Sequence, residues 1–376
     1  MTAAPIPLSA PTVGDEELAA VAEVLESGWM AGQGPRGAEL EAGFAALTGV
    51  PHAVAVNNCT AGLHLVLGAL GAGPGDEVLV ADYSFPATGH AVAFCGARPV
   101  FVDVRSDTGT LDVSLVEAAI TPATVGVVAV DALGIPADLV ELEEICTRRG
   151  LFLVEDAACS AGGELAGRPC GSFGHAAVFS LHARKGITSG EGGVVVTRSE
   201  ELAATVRRRS CFGMASAHER AQQVDLPIPT FDELGYNYKL SDVLAAIAVV
   251  QLGKLPELVA ARRRTAARYA EGLAGVPGVA TPVVPADRLP TWQTYALTVE
   301  SGASRGAMAA ELRRRGIGCN IGTYAMSQQA VYGAPGGCPV SASLAERHLA
   351  IPMYSHLTDA EADRVIEQVA EVAGPT

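Results

Sequence analysis

The chain predicts an α/β protein: a mainly parallel, doubly wound sheet of seven strands flanked by helices, with a smaller α/β unit at the C-terminal end. Three observations carry this. Between about residues 50 and 200, short apolar runs alternate with helical patterns, the signature of βαβ units. Several runs are continuously hydrophobic, as strands covered on both faces must be. And 376 residues that are 49% hydrophobic and 18% charged can fill a large core and a companion.

Taken in order, the strands fall at residues 52–56, 77–81, 99–104, 125–130, 151–155, 176–181 and 194–197. Helices lie between them at 61–70, 111–120 and 139–149. A polar, proline-bearing loop covers 215–229, and a long helical stretch follows at 241–273, interrupted at Pro256. Pro277, Pro282, Pro285 and Pro290 then mark a loop region. Beyond it come a strand at 294–299 and helices at 305–315, 343–350 and 359–372. The expected division is an N-terminal arm (1–30), a large domain (31–250) and a small C-terminal domain (251–376).

Charge and composition exclude whole classes of function. A net charge of −15 is wrong for a nucleic-acid binder, which needs clustered Lys and Arg. The one dense basic run, Arg207-Arg208-Arg209, ends a helical pattern, where cations suit the helix dipole. The eight cysteines are scattered without a CxxC pair, so neither a disulfide framework nor a metal site is expected. Apolar runs such as 243–250 are too short to cross a bilayer. Met1-Thr-Ala-Ala-Pro lacks the basic start and apolar stretch of a signal peptide, and a cytoplasmic protein is expected.

Ligands of open α/β sheets gather at the carboxyl ends of the strands. Three segments there carry polar residues. Asn57-Asn58-Cys59-Thr60-Ala61-Gly62 opens a helix with small residues, where backbone N–H groups and the dipole can receive a phosphate. On its own it reads rather as an ordinary Asn/Thr cap. Asp156 ends a buried strand, and could hold a ring nitrogen, bind a metal or cap a turn. Between Ser180 and Gly193, a loop with His182, Lys185, Glu191 and several glycines joins two strands. Separately each is commonplace. Together an amine, a strand-end carboxylate and a phosphate-type helix start are the parts that pyridoxal phosphate requires.

The chain in fact resembles, over almost its whole length, the nucleotide-sugar aminotransferases of the DegT/DnrJ/EryC1/StrS family, which are fold-type-I pyridoxal-phosphate enzymes. The resemblance rests on Ser27-Gly-Trp-Met, Gly34-Pro35, the run from His52 to His64, Pro74-Gly-Asp-Glu-Val, and Gly96 to Asp103. It continues through Val154-Glu-Asp-Ala-Ala158, the Lys185 loop ending Gly190-Glu-Gly-Gly, and Gly235-Tyr-Asn-Tyr-Lys-Leu-Ser-Asp242. It implies that Lys185 is the Schiff-base lysine and Asp156 the partner of the pyridine nitrogen. Phe85 matches the aromatic that stacks on the ring. Thr60, the Ala61 backbone and Ser180 match the phosphate cradle, and Asn237 a phosphate ligand supplied by the neighbouring subunit. A homodimer with shared active sites follows. Trp29, His182, Glu191, Lys239 and Tyr324 are candidates for substrate contacts.

The family pattern also implies the reaction: an amino group moves from an amino acid, glutamate by analogy, to a keto group of a nucleotide-linked deoxysugar, in secondary metabolism. Two other readings stand beside it, an enzyme acting on a cyclitol or other non-sugar ketone, and a non-catalytic regulator built on the same fold. The chain departs from its relatives where many carry a His in the segment 130–138, where Cys159 replaces Gln or His, where Gly186 follows the lysine, and at Ser355. These bear on substrate and donor, not on the cofactor.

Overall fold

The computed structural model describes residues 4–214, 231, 233–300 and 304–373; the expected loop at 215–229 lies outside them. The seven strands form one sheet: β1 (His52–Val56), β2 (Glu77–Ala81), β3 (Arg98–Val102), β4 (Thr124–Val130), β5 (Phe152–Asp156), β6 (Ala176–Ser180) and β7 (Gly193–Thr197). Their order is β1-β7-β6-β5-β4-β2-β3. Only β7 runs antiparallel, to both β1 and β6; the other pairs are parallel. β2, β5, β6 and β7 are buried at every position, which is why they read as unbroken apolar runs.

Helices cover both faces. Cys59–Ala69 lies so close to the sheet that a Cβ at Gly62 would sit 2.6 Å from Val178 Cγ1. Only glycine allows that approach. Four further strands form a small antiparallel sheet in the order Val279–Ala280, Tyr295–Val299, His348–Ile351, Asn320–Ile321. Its core takes in Leu297, Leu349 and Ile351 with Tyr269, Leu312 and Val365, and Ile6 of the N-terminal arm joins it.

Two expectations are corrected. Pro256 does not interrupt the long helix, which runs unbroken from Asp242 to Gly272. A proline costs a helix interior about 3 kcal/mol. Here the helix packs on Asp15–Ser27, Pro35–Thr48 and Asp359–Ala373, and these contacts outweigh the loss. Position 250, the expected domain division, therefore lies inside a continuous helix. By length and composition this helix could cross a membrane, which the short apolar runs did not suggest, but Ala245, Ala248, Leu255, Leu258 and Val259 are buried in a core with Phe44 and Phe179, and Ala266 and Tyr269 in that of the small sheet. The second correction concerns residues 343–350. Pro339, in the N-terminal turn where its missing N–H costs nothing, starts a helix that ends at Arg347, and His348–Ile351 becomes a central strand of the small sheet.

Candidate functional site

A cavity of about 810 Å³ opens at the carboxyl ends of β4, β5 and β6. Asp156 closes β5 and is 4% exposed. Thr88 Oγ1 donates to its Oδ2 at 2.7 Å and the Ala158 N–H to its Oδ1 at 3.2 Å. Thr88 is held in turn by Ser84 at 2.8 Å. Burial pushes the Asp156 acid above its ordinary value, against the pull of Thr88, Ala158 and the Lys185 charge. A buried carboxylate of this kind is stabilised by a cation placed against it.

Lys185 enters from the loop between β6 and β7, with its Nζ 3.2 Å from Cys159 Sγ. Burial lowers the ammonium, but Cys159 beside it and the charge of Asp156 outweigh that, and it stays above its ordinary value. Arg262 Nη2 reaches the Lys185 carbonyl at 3.4 Å and steadies the loop.

The helix Cys59–Ala69 points its N-terminus into the same cavity. Asn58 caps it, its Oδ1 accepting from Ala61 N–H at 2.8 Å. The capping reading thus describes Ala61 here, while the first amides of the turn keep no intrahelical partner by helix geometry. β7 begins against this turn, where a Cβ on Gly193 would lie 2.7 Å from the Asn58 carbonyl carbon and the Cys59 nitrogen. Thr60 and Ser180 line the cavity beside the cap. Phe85, 63% exposed, stands at the mouth with its ring 6.2 Å from that of Tyr324.

Of the residues singled out from sequence, Thr60, Ala61, Phe85, Asp156, Ser180, His182, Lys185, Glu191 and Tyr324 share this cavity. Trp29, Asn237 and Lys239 do not line it within one protomer. Trp29 packs over the Gly34 turn, and Lys239 Nζ donates to Asn237 Oδ1 at 2.6 Å while lying over the Phe212 ring. Thr88 and Ser84 were overlooked. The signal was available: Pro86 marks a helix start, which puts residue 88 in its first turn beneath Phe85. Asp131 and Cys159, also in the lining, had been noticed only as departures from the family pattern.

The donor set fits pyridoxal phosphate. A buried carboxylate can hold a pyridinium, an amine can take an aldehyde, and hydroxyls with a helix start can receive a phosphate.

The comparisons agree. The model of the DegT/DnrJ/EryC1/StrS aminotransferase family matches residues 11–370. The aminotransferase TlmJ from Streptoalloteichus hindustanus is 38% identical, with a TM-score of 0.91 over 98% of each chain. The sugar aminotransferase CalS13 from Micromonospora echinospora is 32% identical, with a TM-score of 0.89 over 97% of this chain and 99% of that one. The PLP-form of Spr1654 from Streptococcus pneumoniae is 28% identical, with a TM-score of 0.91 over 98% of each. The chain therefore belongs to the DegT/DnrJ/EryC1/StrS family and is a pyridoxal-phosphate-dependent aminotransferase of the sugar aminotransferase type.

Proposed function

We propose that the protein transfers the amino group of glutamate to the keto carbon of a nucleotide-linked keto-deoxysugar, with Lys185 and Asp156 as its catalytic residues. The observation that carries this is the opening of the Lys185 amine and the Asp156 carboxylate into one cavity, with Thr60 and Ser180 beside them. Pyridoxal phosphate, when bound, supplies an electron-withdrawing ring and a carbon that exchanges one amine for another.

Lys185 Nζ would hold the cofactor, and as a free amine it would act as the general base that accepts the proton released from the donor's α-carbon and carries it to the cofactor carbon that takes the amino group. Asp156, held by Thr88 and Ala158, keeps the ring nitrogen protonated through its negative charge. Thr60, the Ala61 turn and Ser180 receive the phosphate, and Phe85 covers the ring. Asn237 completes the phosphate site from a second subunit, in a cytoplasmic homodimer whose active sites are shared. His182, Glu191 and Tyr324 at the mouth, with Trp29 and Lys239, meet the acceptor. The acceptor's identity as a nucleotide sugar draws on the family and on the sugar aminotransferases among its relatives.

The test is spectroscopic and then synthetic. Glutamate is expected to bleach the yellow protein, and nucleotide-linked 3-keto or 4-keto sugars to restore the colour while gaining an amine. A protein restored only by cyclitol ketones would replace the sugar reading, and a colourless one would replace the enzyme reading by the regulator.

A further inference from the structure

Two carboxyl groups that the reaction does not use meet beside Asp156: Glu155, behind the cavity, and Asp131, which borders it. In the parallel register Ala129 pairs with Glu155 and Val130 with Asp156. Alternation along the strands therefore puts Glu155 and Asp131 together on one face and Asp156 on the other. Both Asp131 and Glu155 are 0% exposed. Ligand atoms of Asp131, Glu155 and the buried Cys170 all lie within 4.8 Å of one another.

The donors to this pair are all neutral. Asp131 Oδ1 accepts from Ala137 N–H at 2.8 Å, and its Oδ2 from Ser160 Oγ. Both Glu155 oxygens accept from Gly171 N–H, at 2.8 and 2.9 Å. Among the described residues, no ion pair includes either carboxyl. Two adjacent carboxylates, both fully buried and with no cation partner among the described residues, cannot both carry charge. One proton between them removes the conflict and supplies the missing hydrogen bond.

We propose that Glu155 is a standing carboxylic acid that donates to Asp131, and that this one-proton pair positions Asp156 beneath the cofactor ring. The contacts show how. Asp131 fastens the turn at 131–137 through Ala137 and the segment at 156–160 through Ser160. Its own N–H holds the Asp156 carbonyl at 3.2 Å. Glu155 pins the turn at Gly171. The pair thus ties together both loops that follow β4 and β5, including Ala158, which bonds the Asp156 carboxylate. Burial raises both acids; the charge of Asp131 raises Glu155 further, while the hydrogen bond from Glu155 pulls Asp131 back down. Glu155 and Asp131 are positioning residues; neither touches the reacting atoms.

This rests on the assignment of Asp156, and the test separates the two. Infrared spectra of the holoenzyme at neutral pH are expected to show a buried, slowly exchanging protonated-carboxyl band that disappears in Glu155→Gln. The glutamine still donates to Asp131, so that variant is expected to keep wild-type cofactor affinity and absorption. Glu155→Leu removes the donor and is expected to weaken cofactor binding at least about tenfold. Should the leucine variant not fold, the infrared difference for the glutamine variant decides alone. Absence of the band, its survival in Glu155→Gln, equal weakening by both variants, or a stoichiometric metal ion at Asp131, Glu155 and Cys170 would each overturn the pair. The assignment of Asp156 fails separately, if Asp156→Asn leaves the absorption of the bound cofactor and turnover unchanged.

Discussion

The floor and the mouth of the cavity are built in different ways. On the floor the groups around Asp156 and Lys185 are tied to one another: Ser84 holds Thr88, Thr88 and Ala158 hold Asp156, and Lys185 meets Cys159. At the mouth Phe85 and Tyr324 are 63% and 40% exposed, and the His182 and Glu191 side chains approach only to 3.7 Å. A proton transfer needs atoms held to within a fraction of an ångström. A surface that selects among acceptors gains more from reach than from rigidity. If that is the division, substitutions should lose effect steadily from floor to mouth.

The largest loss is expected for Lys185→Ala. Removing a positioned general base typically costs 10²–10⁴-fold, and loss of the covalent attachment adds to it. Turnover should fall by roughly 10³-fold or more, and the absorption of the lysine-bound cofactor should vanish. Single-turnover rates and spectra check both. Normal turnover would remove the floor from the comparison altogether.

Next comes Thr88→Val, which preserves shape and deletes one donor to a buried carboxylate. Leaving such a group short of a partner costs about 1–3 kcal/mol, or roughly 5–150-fold in rate. The direction with pH follows from the hydrogen bond. Thr88 favours the charged form of Asp156, so its removal lets burial push the acid higher still. The acid limb of the cofactor's spectral titration should therefore move to higher pH. An unmoved limb would show that Asp156 is held by something other than Thr88.

Behind the floor, the cofactor-free protein should lose stability as pH rises. Burial pushes Asp131 from its ordinary 3.8 to about 6, and Asp156 and Glu155 are also raised. Groups raised in the folded state bind more protons there than in the unfolded chain. For Asp131 the contribution is complete below about 3.8 and is lost as pH climbs through about 6; for Asp156 and Glu155 the loss runs in the same direction. Thermal melts should show stability falling across that window, and the Asp131→Asn, Glu155→Gln double variant should flatten the trend.

How much of this was legible in the chain differs in the same way from region to region. The sheet was readable because β2, β5, β6 and β7 are buried at every position and leave unbroken apolar runs. Asp156 and Lys185 stood out in the sequence because the one ends an apolar strand run and the other lies in a glycine-bearing loop between two such runs. Thr88 reaching Asp156, and Asp131 reaching Glu155, were not: the first pair meets only after separate βαβ units have stacked, the second only once β4 and β5 have paired in register, and no local period records either. Pro256 misled for a related reason, since local propensity is weak against packing on three helices. Trp29, Asn237 and Lys239 came from resemblance alone, and one protomer gives them no place in the cavity.

The smallest effect belongs to the mouth. The side chains of His182 and Glu191 are 43% and 63% exposed and 3.7 Å apart, a pair that water and salt screen. Double-mutant cycles on exposed pairs give about 0.2–1 kcal/mol, so His182→Ala and Glu191→Gln should couple within that range and less at high salt. Their effect should fall on KM for the acceptor and leave kcat nearly unchanged, because a contact made equally in ground and transition states alters binding alone. A coupling of several kcal/mol, or a loss in kcat to match that of Thr88→Val, would mean that the mouth closes and is ordered during the reaction. The contrast between floor and mouth would then describe only the open enzyme, and His182 with Glu191 would have to be counted among the groups that hold the reacting atoms in place.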